Sequence, residues 1–323
     1  MNKSHLAPVL AIDLGGTNIK SAILLPDGKI IYFRKYPAQA DKGPQKVVTG
    51  ILSAIKDSLV KAELEVKELC GIAIAAAGIL DVKNGVVTSS PSLPGWHNIP
   101  LRDMMAEKLG VDIHLINDAS AAALGEHRFG AGCGADNLVY LTVSTGIGGG
   151  IIIDGKLYVG TDGCAGEIGH MVVEADGPQC NCGNFGCLEV MASGTAIANE
   201  AKRRIGQGET SRITEFSSRG LNSITAETVA LAAKQGDSLA CGVVNKAAYY
   251  LGVGLANIVN IFNPEAIIIG GGVSKMGDIL LRPARKVVKQ RAFRLPVRTV
   301  RIVRSRLGDK AGNIGAAVYL MDR

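Results

Sequence analysis

The chain has 323 residues, 47% of them hydrophobic and 20% charged, with a formal net charge of +6. That composition excludes a disordered chain, which needs low hydrophobicity and high net charge, and the length allows about two domains with cores of their own. The 41 glycines stand well above the usual ~7%, so the backbone must turn tightly or approach other groups closely at many points.

Short β-branched runs alternate with alanine-rich stretches, the pattern of an α/β protein with buried strands. Strands are predicted at 9–12, 19–25, 30–36, 71–75, 112–116, 138–143, 150–153 and 266–269, and helices at 44–62, 101–109, 119–129, 226–234, 238–261 and 308–321. Residues 9–33 read as strand, Asp13-Leu-Gly-Gly-Thr turn, strand, Asp27-Gly28-Lys29 turn, strand. Residues 138–159 repeat that order with Ser144-Thr-Gly-Ile-Gly-Gly-Gly and Asp154-Gly155-Lys156. One meander opening both halves predicts two glycine-rich hairpin turns facing each other across a cleft lined by backbone N–H groups, a setting for phosphates.

The first turn is neither a P-loop nor a dinucleotide fingerprint. Its chemistry is related: Gly15 and Gly16 let the backbone approach a polyphosphate, Thr17 offers a hydroxyl, and Asp13 can hold Mg²⁺ directly or through water. Alone it reads equally as an ordinary hairpin; the matching Thr145-Gly146 turn favours phosphate. Asn117-Asp118 ends one strand and begins a helix. Asp118 fits an N-cap, and it fits a general base that takes a hydroxyl proton as the oxygen attacks a γ-phosphorus.

His170, Cys180, Cys182 and Cys187 match a closed tetrahedral zinc site of one imidazole and three thiolates,. Such a site would fix the flanking Glu167 and Glu189, rigid anionic acceptors suited to a polyhydroxylated substrate. Cys70, Cys133, Cys164 and Cys241 have no such spacing and read as plain thiols. Gly270-Gly271-Gly272 follows a strand, where open α/β sheets admit a flat or anionic ligand,.

Residues 282–306 hold ten basic side chains and no acidic one; without them 25 basic residues face 29 acidic ones, a balance of −4. The segment reads as an amphipathic helix and then a strand with Arg298, Arg301 and Arg304 toward solvent. Phe293 is its only aromatic residue, against the interleaved aromatics of a base-stacking surface, so a solvated face is expected. No apolar run reaches the ~18 residues of a membrane span, and Asp13 and two glycines break the N-terminal apolar stretch, against a signal peptide. A cytoplasmic protein is expected.

Asp13-Leu-Gly-Gly-Thr, Ser144-Thr-Gly-Ile-Gly-Gly-Gly, Glu167-Ile-Gly-His170, Cys180-Asn-Cys-Gly-Asn-Phe-Gly-Cys-Leu-Glu189 and Ala311-Gly312-Asn-Ile-Gly315-Ala-Ala occur together in this order. Over essentially its whole length the chain thereby resembles the ROK family (repressors, open reading frames, kinases) of sugar kinases and sugar-responsive repressors. The resemblance implies an α/β, actin-like ATPase (ribonuclease H-like) fold with two α/β domains around a cleft. The small domain would comprise 1–117 plus 308–323, and the large one, carrying the zinc loop, 118–307. It implies Asp118 as catalytic base and structural Zn²⁺ on His170, Cys180, Cys182 and Cys187. Sugar hydroxyls would be held by Gly78, Asn117, Asp118, Glu167, His170 and Glu189. Mg²⁺ and ATP would sit on Asp13, Gly15, Gly16, Thr17, Thr145 and Gly146, with the nucleoside near Gly271 and Gly272.

The activity implied is ATP-dependent phosphorylation of a hexose hydroxyl, first of all glucose to glucose 6-phosphate. An N-acetylhexosamine (N-acetylmannosamine or N-acetylglucosamine) or fructose is the alternative substrate, and a sugar-responsive regulator the remote alternative. Repressors of the family carry an N-terminal helix-turn-helix of several dozen residues, whereas eight residues precede the first strand here. Members are commonly dimers or tetramers, so a homodimer or homotetramer is expected, with sugar and ATP as ligands and neither nucleic acid nor membrane as partner. Two departures stand out. Ser92, in Ser90-Pro-Ser92-Leu93-Pro-Gly-Trp96, replaces the Asn that precedes Leu in family glucokinases, which bears on the identity of the hexose. Ala75-Ala76-Ala77-Gly78-Ile79 replaces a more usual proline-bearing turn.

Overall fold

The computed structural model describes residues 7–217 and 220–323. The chain runs β1 (Val9–Leu14), β2 (Asn18–Leu24), β3 (Ile30–Pro37), α1 (Pro44–Ala62), β4 (Gly71–Ala76), β5 (Ile79–Asp81), β6 (Val86–Ser89), β7 (His97–Ile99), α2 (Leu101–Leu109), β8 (Ile113–Asn117) and α3 (Asp118–Phe129). Then follow β9 (Leu138–Val143), β10 (Ile147–Ile153), β11 (Lys156–Tyr158), α4 (Leu188–Ala192), α5 (Gly194–Gly206), α6 (Ala226–Lys234), α7 (Ser238–Phe262), β12 (Ala266–Gly270), α8 (Asp278–Arg291), α9 (Arg294–Thr299), β13 (Arg301–Arg304) and α10 (Ala311–Met321).

Two five-stranded sheets share one plan: β3-β2-β1-β4-β8 and β11-β10-β9-β12-β13. The repeated meander of the sequence is thus a repeated sheet. A third sheet, β5-β6-β7, was not predicted; its strands of three or four residues are too short to show a period of two. The chain divides into two compact units: 1–134, 150–166 and 306–323, and 135–149 with 167–305.

In the first unit β1, β4 and β8 are parallel, with Asp13 opposite Ala75 and Ala76 opposite Asn117. Their C-terminal ends, which carry Asp13, Gly78 and Asp118, therefore lie along one sheet edge, where α/β sheets bind ligands. The core behind that edge is aliphatic, built from Leu10, Ile12, Ile72 and Ile74 of the sheet and Val47, Ile51 and Ile55 of α1, with Trp96 wholly buried in it. In the second unit β9, β12 and β13 are parallel, so Val143 and Gly270 end at one edge.

Several elements differ from expectation. The strand predicted at 150–153 starts at Ile147 and runs through its glycines. Gly150 lies so close to α3 that a Cβ would come within 2.7 Å of the Ala123 side chain. The predicted helix 308–321 begins with a 3-10 turn, Gly308–Lys310. In the basic segment Arg298 sits in α9, which follows α8, and only Arg301–Arg304 form a strand. Among the described residues one helix, Ser238–Phe262, is long and apolar enough to cross a membrane, and 61% of its most apolar stretch is buried in the fold.

Candidate active site

The turn between β1 and β2 closes with Gly15 N–H on Asn18 O, 3.0 Å. Asp13 and Lys20 are directly opposed in this antiparallel pair, and Asp13 Oδ2 lies 2.7 Å from Lys20 Nζ. Helix α10 shapes the hairpin from behind. A Cβ on Gly312 would sit 2.8 Å from Asp13 Oδ2, and the buried Asn313 donates from Nδ2 to Ala11 O (2.8 Å) and Lys20 O (3.0 Å). The terminal glycine motif thus makes room for the Asp13 carboxylate. Gly16 meets the 90–96 loop: a Cβ there would collide with Ser92 O. That loop is anchored by the fully buried Leu93 and Trp96, while Ser92 itself is exposed.

Gly78, just past β4, has φ +117°, and a Cβ would collide with Ser89 O, so only glycine fits. Its carbonyl accepts from Asn117 Nδ2 at 3.1 Å. Asn117 Oδ1 accepts the N–H groups of Ala119 and Ser120, both at 3.0 Å. The expected cap is therefore displaced by one residue. Asn117 caps α3 and Asp118 occupies its first turn, where the positive end of the helix dipole favours the ionised carboxylate. Asp118 Oδ1 also accepts the Ala119 N–H, at 2.9 Å.

In the second unit the turn Ser144–Gly146 is gripped from several sides. Glu189 Oε2 accepts Ile147 N–H at 2.8 Å, Gly194 N–H donates to Ser144 O at 2.7 Å, and Thr195 Oγ1 donates to Thr145 O at 2.8 Å. Gly271, at φ +81°, lies against β9, where a Cβ would collide with Val143 O. Gly272 is open, its nearest neighbour being Ser144 Oγ at 3.9 Å from the position of a Cβ. Thr145, Gly146, Gly271 and Gly272 thus form one continuous patch. In the first unit Thr17 is exposed and Gly15 is open beside the Asp13 carboxylate; in the second Thr145 is exposed and Gly272 is open.

The donor atoms of His170, Cys180, Cys182 and Cys187 all lie within 4.8 Å of one another. His170 Nδ1 is 3.6 Å from Cys180 Sγ, and Cys182 Sγ is 3.7 Å from Cys187 Sγ. Those are the edges of a tetrahedron with bonds of about 2.0–2.3 Å, as zinc takes with nitrogen and thiolate ligands. All seven cysteines are free thiols, and the four atoms fit structural zinc. The other ring nitrogen, His170 Nε2, is 3.9 Å from Glu167 Oε2. Burial raises the Glu167 carboxyl above the ordinary range; the His170 charge opposes that and the Glu189 charge adds to it. The knuckle that would hold zinc is flanked by two carboxylates, Glu167 before it and Glu189 in the first turn of α4 after it.

Sequence reasoning misses Lys20, Gly194 and Thr195, and it takes Asn313 only as a member of the Ala311–Ala317 motif. Lys20 carries one local signal: it is the sole cation of residues 13–20.

The sequence matches the ROK family over residues 9–323. The chain belongs to the ROK family. A glucokinase from Thermotoga maritima is 38% identical over 98% of both chains. A ROK glucokinase from Streptomyces griseus, solved in complex with glucose and AMPPNP, superposes with a TM-score of 0.85 at 35% identity, covering 97% of this chain and 98% of that one. A xylose repressor from Caldicellulosiruptor bescii is 35% identical over 97% of this chain and 78% of its own length. This ROK chain accordingly has the actin-like ATPase fold of the family's sugar kinases.

Proposed function

We propose that this ROK protein is an ATP-dependent hexokinase whose first substrate is glucose, yielding glucose 6-phosphate and ADP. The observation that carries this reading is full-length likeness, in sequence and in fold, to glucokinases, one of them solved with glucose and a nucleotide. Asp118 accepts the proton of the attacking hydroxyl. The oxygen bonds to the γ-phosphorus, the bond from that phosphorus to the β–γ bridging oxygen breaks, and ADP leaves; the proton passes from Asp118 to solvent. Asn117 and the Gly78 segment it holds orient the hydroxyl. Glu167 and Glu189 accept from other sugar hydroxyls, with His170 Nε2 beside Glu167. The turns at Gly15–Thr17 and Thr145–Gly146 hold the phosphates through backbone N–H groups and hydroxyls, and Gly271 and Gly272 flank the nucleoside. Mg²⁺, held through Asp13, supplies charge shielding on the phosphates.

ADP release measured over glucose, N-acetylmannosamine, N-acetylglucosamine and fructose tests the substrate. Glucose is expected to have the highest kcat/KM, and an N-acetylhexosamine in first place would overturn that choice. Asp118→Asn should lower kcat about 10²–10⁴-fold; turnover at the wild-type rate on every sugar would remove Asp118 as base. The same reading expects a homodimer or homotetramer, tested by light scattering, in the cytoplasm, where ATP and reduced thiols coexist.

A further inference from the structure

The sulfurs of the zinc knuckle differ in their access to solvent. Cys180 and Cys187 are buried, whereas Cys182 belongs to the run Asn181–Phe185, which is exposed throughout. Gly183, at φ +93°, has nothing within 4 Å of its Cβ position, so the turn is open on the side next to Cys182. Cys182 Sγ lies 3.7 Å from Cys187 Sγ, and a modest movement of that open turn brings the two sulfurs to the ~2.0 Å of a disulfide bond. Cys187 is in turn the N-cap residue of α4, whose first turn carries Glu189 against the Ile147 N–H at 2.8 Å. An accessible sulfur thus stands beside a buried one that begins the helix of the proposed sugar acceptor.

The thiolate, not the thiol, is the nucleophile of cysteine oxidation, and a metal-ligating cysteine is held as thiolate. Solvent therefore meets one ready nucleophile at the knuckle, with a second sulfur in reach to resolve it. Cys70, Cys133 and Cys164 are exposed as well, but they lie outside the cluster. We propose that Cys182 and Cys187 are an oxidation-sensitive pair, a modification site for hydroperoxides that reversibly weakens sugar binding. The Cys182 thiolate attacks one peroxide oxygen; the S–O bond forms, the O–O bond breaks, and the leaving oxygen takes a proton from solvent. The Cys187 thiolate then attacks the Cys182 sulfenic sulfur; the S–S bond forms, the S–O bond breaks, and the departing hydroxide is protonated to water. The two sulfurs together lose two electrons, which reduce hydrogen peroxide to two waters. The disulfide removes two of the four donors that would hold zinc, and it draws on the N-cap of α4 and so on Glu189. The modification stands apart from the kinase reading, while its effect on glucose rests on that reading. The competing behaviour is a closed structural site whose shielded thiolates stay inert.

The zinc-loaded, fully reduced chain is treated with hydrogen peroxide. Zinc release is followed with a chromogenic chelator, the linked peptides by mass spectrometry after alkylation, and glucose binding by calorimetry. Cys182–Cys187 should become the leading disulfide, zinc should leave on the same time course, and glucose affinity should fall at least about tenfold. Dithiothreitol with added zinc should reverse all of these. Zinc retained while dimedone already marks Cys70, Cys133 and Cys164 as sulfenic acids overturns the proposal, and so does a leading disulfide between any other pair, or a loss that dithiothreitol and zinc do not reverse. A variant with Cys70→Ser, Cys133→Ser and Cys164→Ser together should respond as the wild type does; a lost response would place the oxidation elsewhere and overturn it. Should that variant not fold, peptide mapping of the unmodified chain decides. If the reduced chain binds no glucose, the kinase reading falls, and zinc release with mapping still tests the pair. If the disulfide forms and zinc leaves with glucose affinity unchanged, this proposal falls alone.

Discussion

Glu189 Oε2 accepts the backbone N–H of Ile147 at 2.8 Å, and Glu189 stands two residues after Cys187, in the first turn of α4. One carboxylate thus connects the zinc knuckle with the turn proposed to hold the phosphates, while serving as a proposed sugar acceptor. The two duties separate by substitution. Glu189→Ala leaves the Ile147 N–H without its acceptor, a cost of ~1–3 kcal/mol, so KM for ATP and KM for glucose should both rise. Glu189→Gln keeps a carbonyl oxygen for that N–H and removes only the charge offered to the sugar. KM for glucose should then rise about tenfold or more while KM for ATP stays within about twofold. Steady-state kinetics with both substrates varied checks this, and equal shifts in Glu189→Gln would refute the division.

Through the same connection, loss of metal from the His170–Cys187 cluster should weaken substrate binding as well as local stability. Between Val172 and Cys187 the chain has only two isolated bridges, Val172 with Cys187 and Gln179 with Phe185, and few buried side chains of its own. Metal analysis should find about one zinc per chain. Cys187→Ser, or a strong chelator, should remove it and weaken glucose binding at least about tenfold, because Cys187 is the N-cap residue of α4, which carries Glu189. Cys241→Ser, whose thiol bonds Ala233 O, should change neither zinc content nor glucose affinity.

What the sequence made legible here is what depends on neighbours along the chain. The zinc ligands are close in sequence, with three cysteines inside eight positions, and the paired meanders are local hairpins, so both could be read directly. The N-cap was misplaced by one residue because Asn and Asp are equally good caps, and only the path of the backbone decides which side chain turns back. The Asp13–Lys20 pairing is a matter of strand register, and the acceptor of Asn313, Ala11, is 302 residues away, so neither contact is legible along the chain. The 90–96 loop shows the same limit: its Trp and Leu were visible as apolar residues, its contact with Gly16 was not.

Asn117 and Asp118 should separate stability from chemistry. Asn117→Ala removes the acceptor of Ser120 N–H, one of the two acceptors of Ala119 N–H and the donor to Gly78 O, which should cost ~1–2 kcal/mol and lower the melting temperature by a few degrees. Asp118→Asn should melt within about a degree of the wild type while losing turnover as stated above. Calorimetric melts of the two variants decide it: an equally early melt for Asp118→Asn would return the capping role to that residue.

Two glycines in helices should respond in opposite directions to alanine. A Cβ on Gly315 of α10 would collide with Ala121 O of α3, and neither backbone has room to yield. Gly315→Ala should therefore destabilise the protein by ~3 kcal/mol or more, and by shifting α10 it should also disturb Asn313 and the space Gly312 leaves for Asp13. Gly206, the last residue of α5, has nothing within 4 Å of its Cβ position and no left-handed φ. Gly206→Ala should stabilise by ~0.5–1 kcal/mol. Urea unfolding of both variants measures the contrast, and loss of stability in Gly206→Ala would contradict it.

A polar network between α5 and α7 should make stability depend on acid. Glu200 accepts from Arg203 Nε and Nη2, both at 3.0 Å, and from Lys246 Nζ at 3.1 Å. The Arg203 hydrogen bonds lead in holding its carboxyl down to about 2, against the partial burial of the group, and Lys246 adds to them. A carboxylate whose pKa falls on folding contributes stability above its unfolded value, about 4.5, and loses that contribution as the pH drops toward 2. Arg203 and Lys246 are each about half exposed, at 53% and 49%, so solvent screening limits the gain to ~0.5–1 kcal/mol. Glu200→Gln should be less stable than wild type by that amount at pH 7. The difference should shrink between pH 4.5 and 2, and also at pH 7 in 0.5 M salt, where screening is stronger. Urea unfolding across that range reads it directly, and a difference that stays constant down to pH 2 would mean that Glu200 acts through packing and not through its charge.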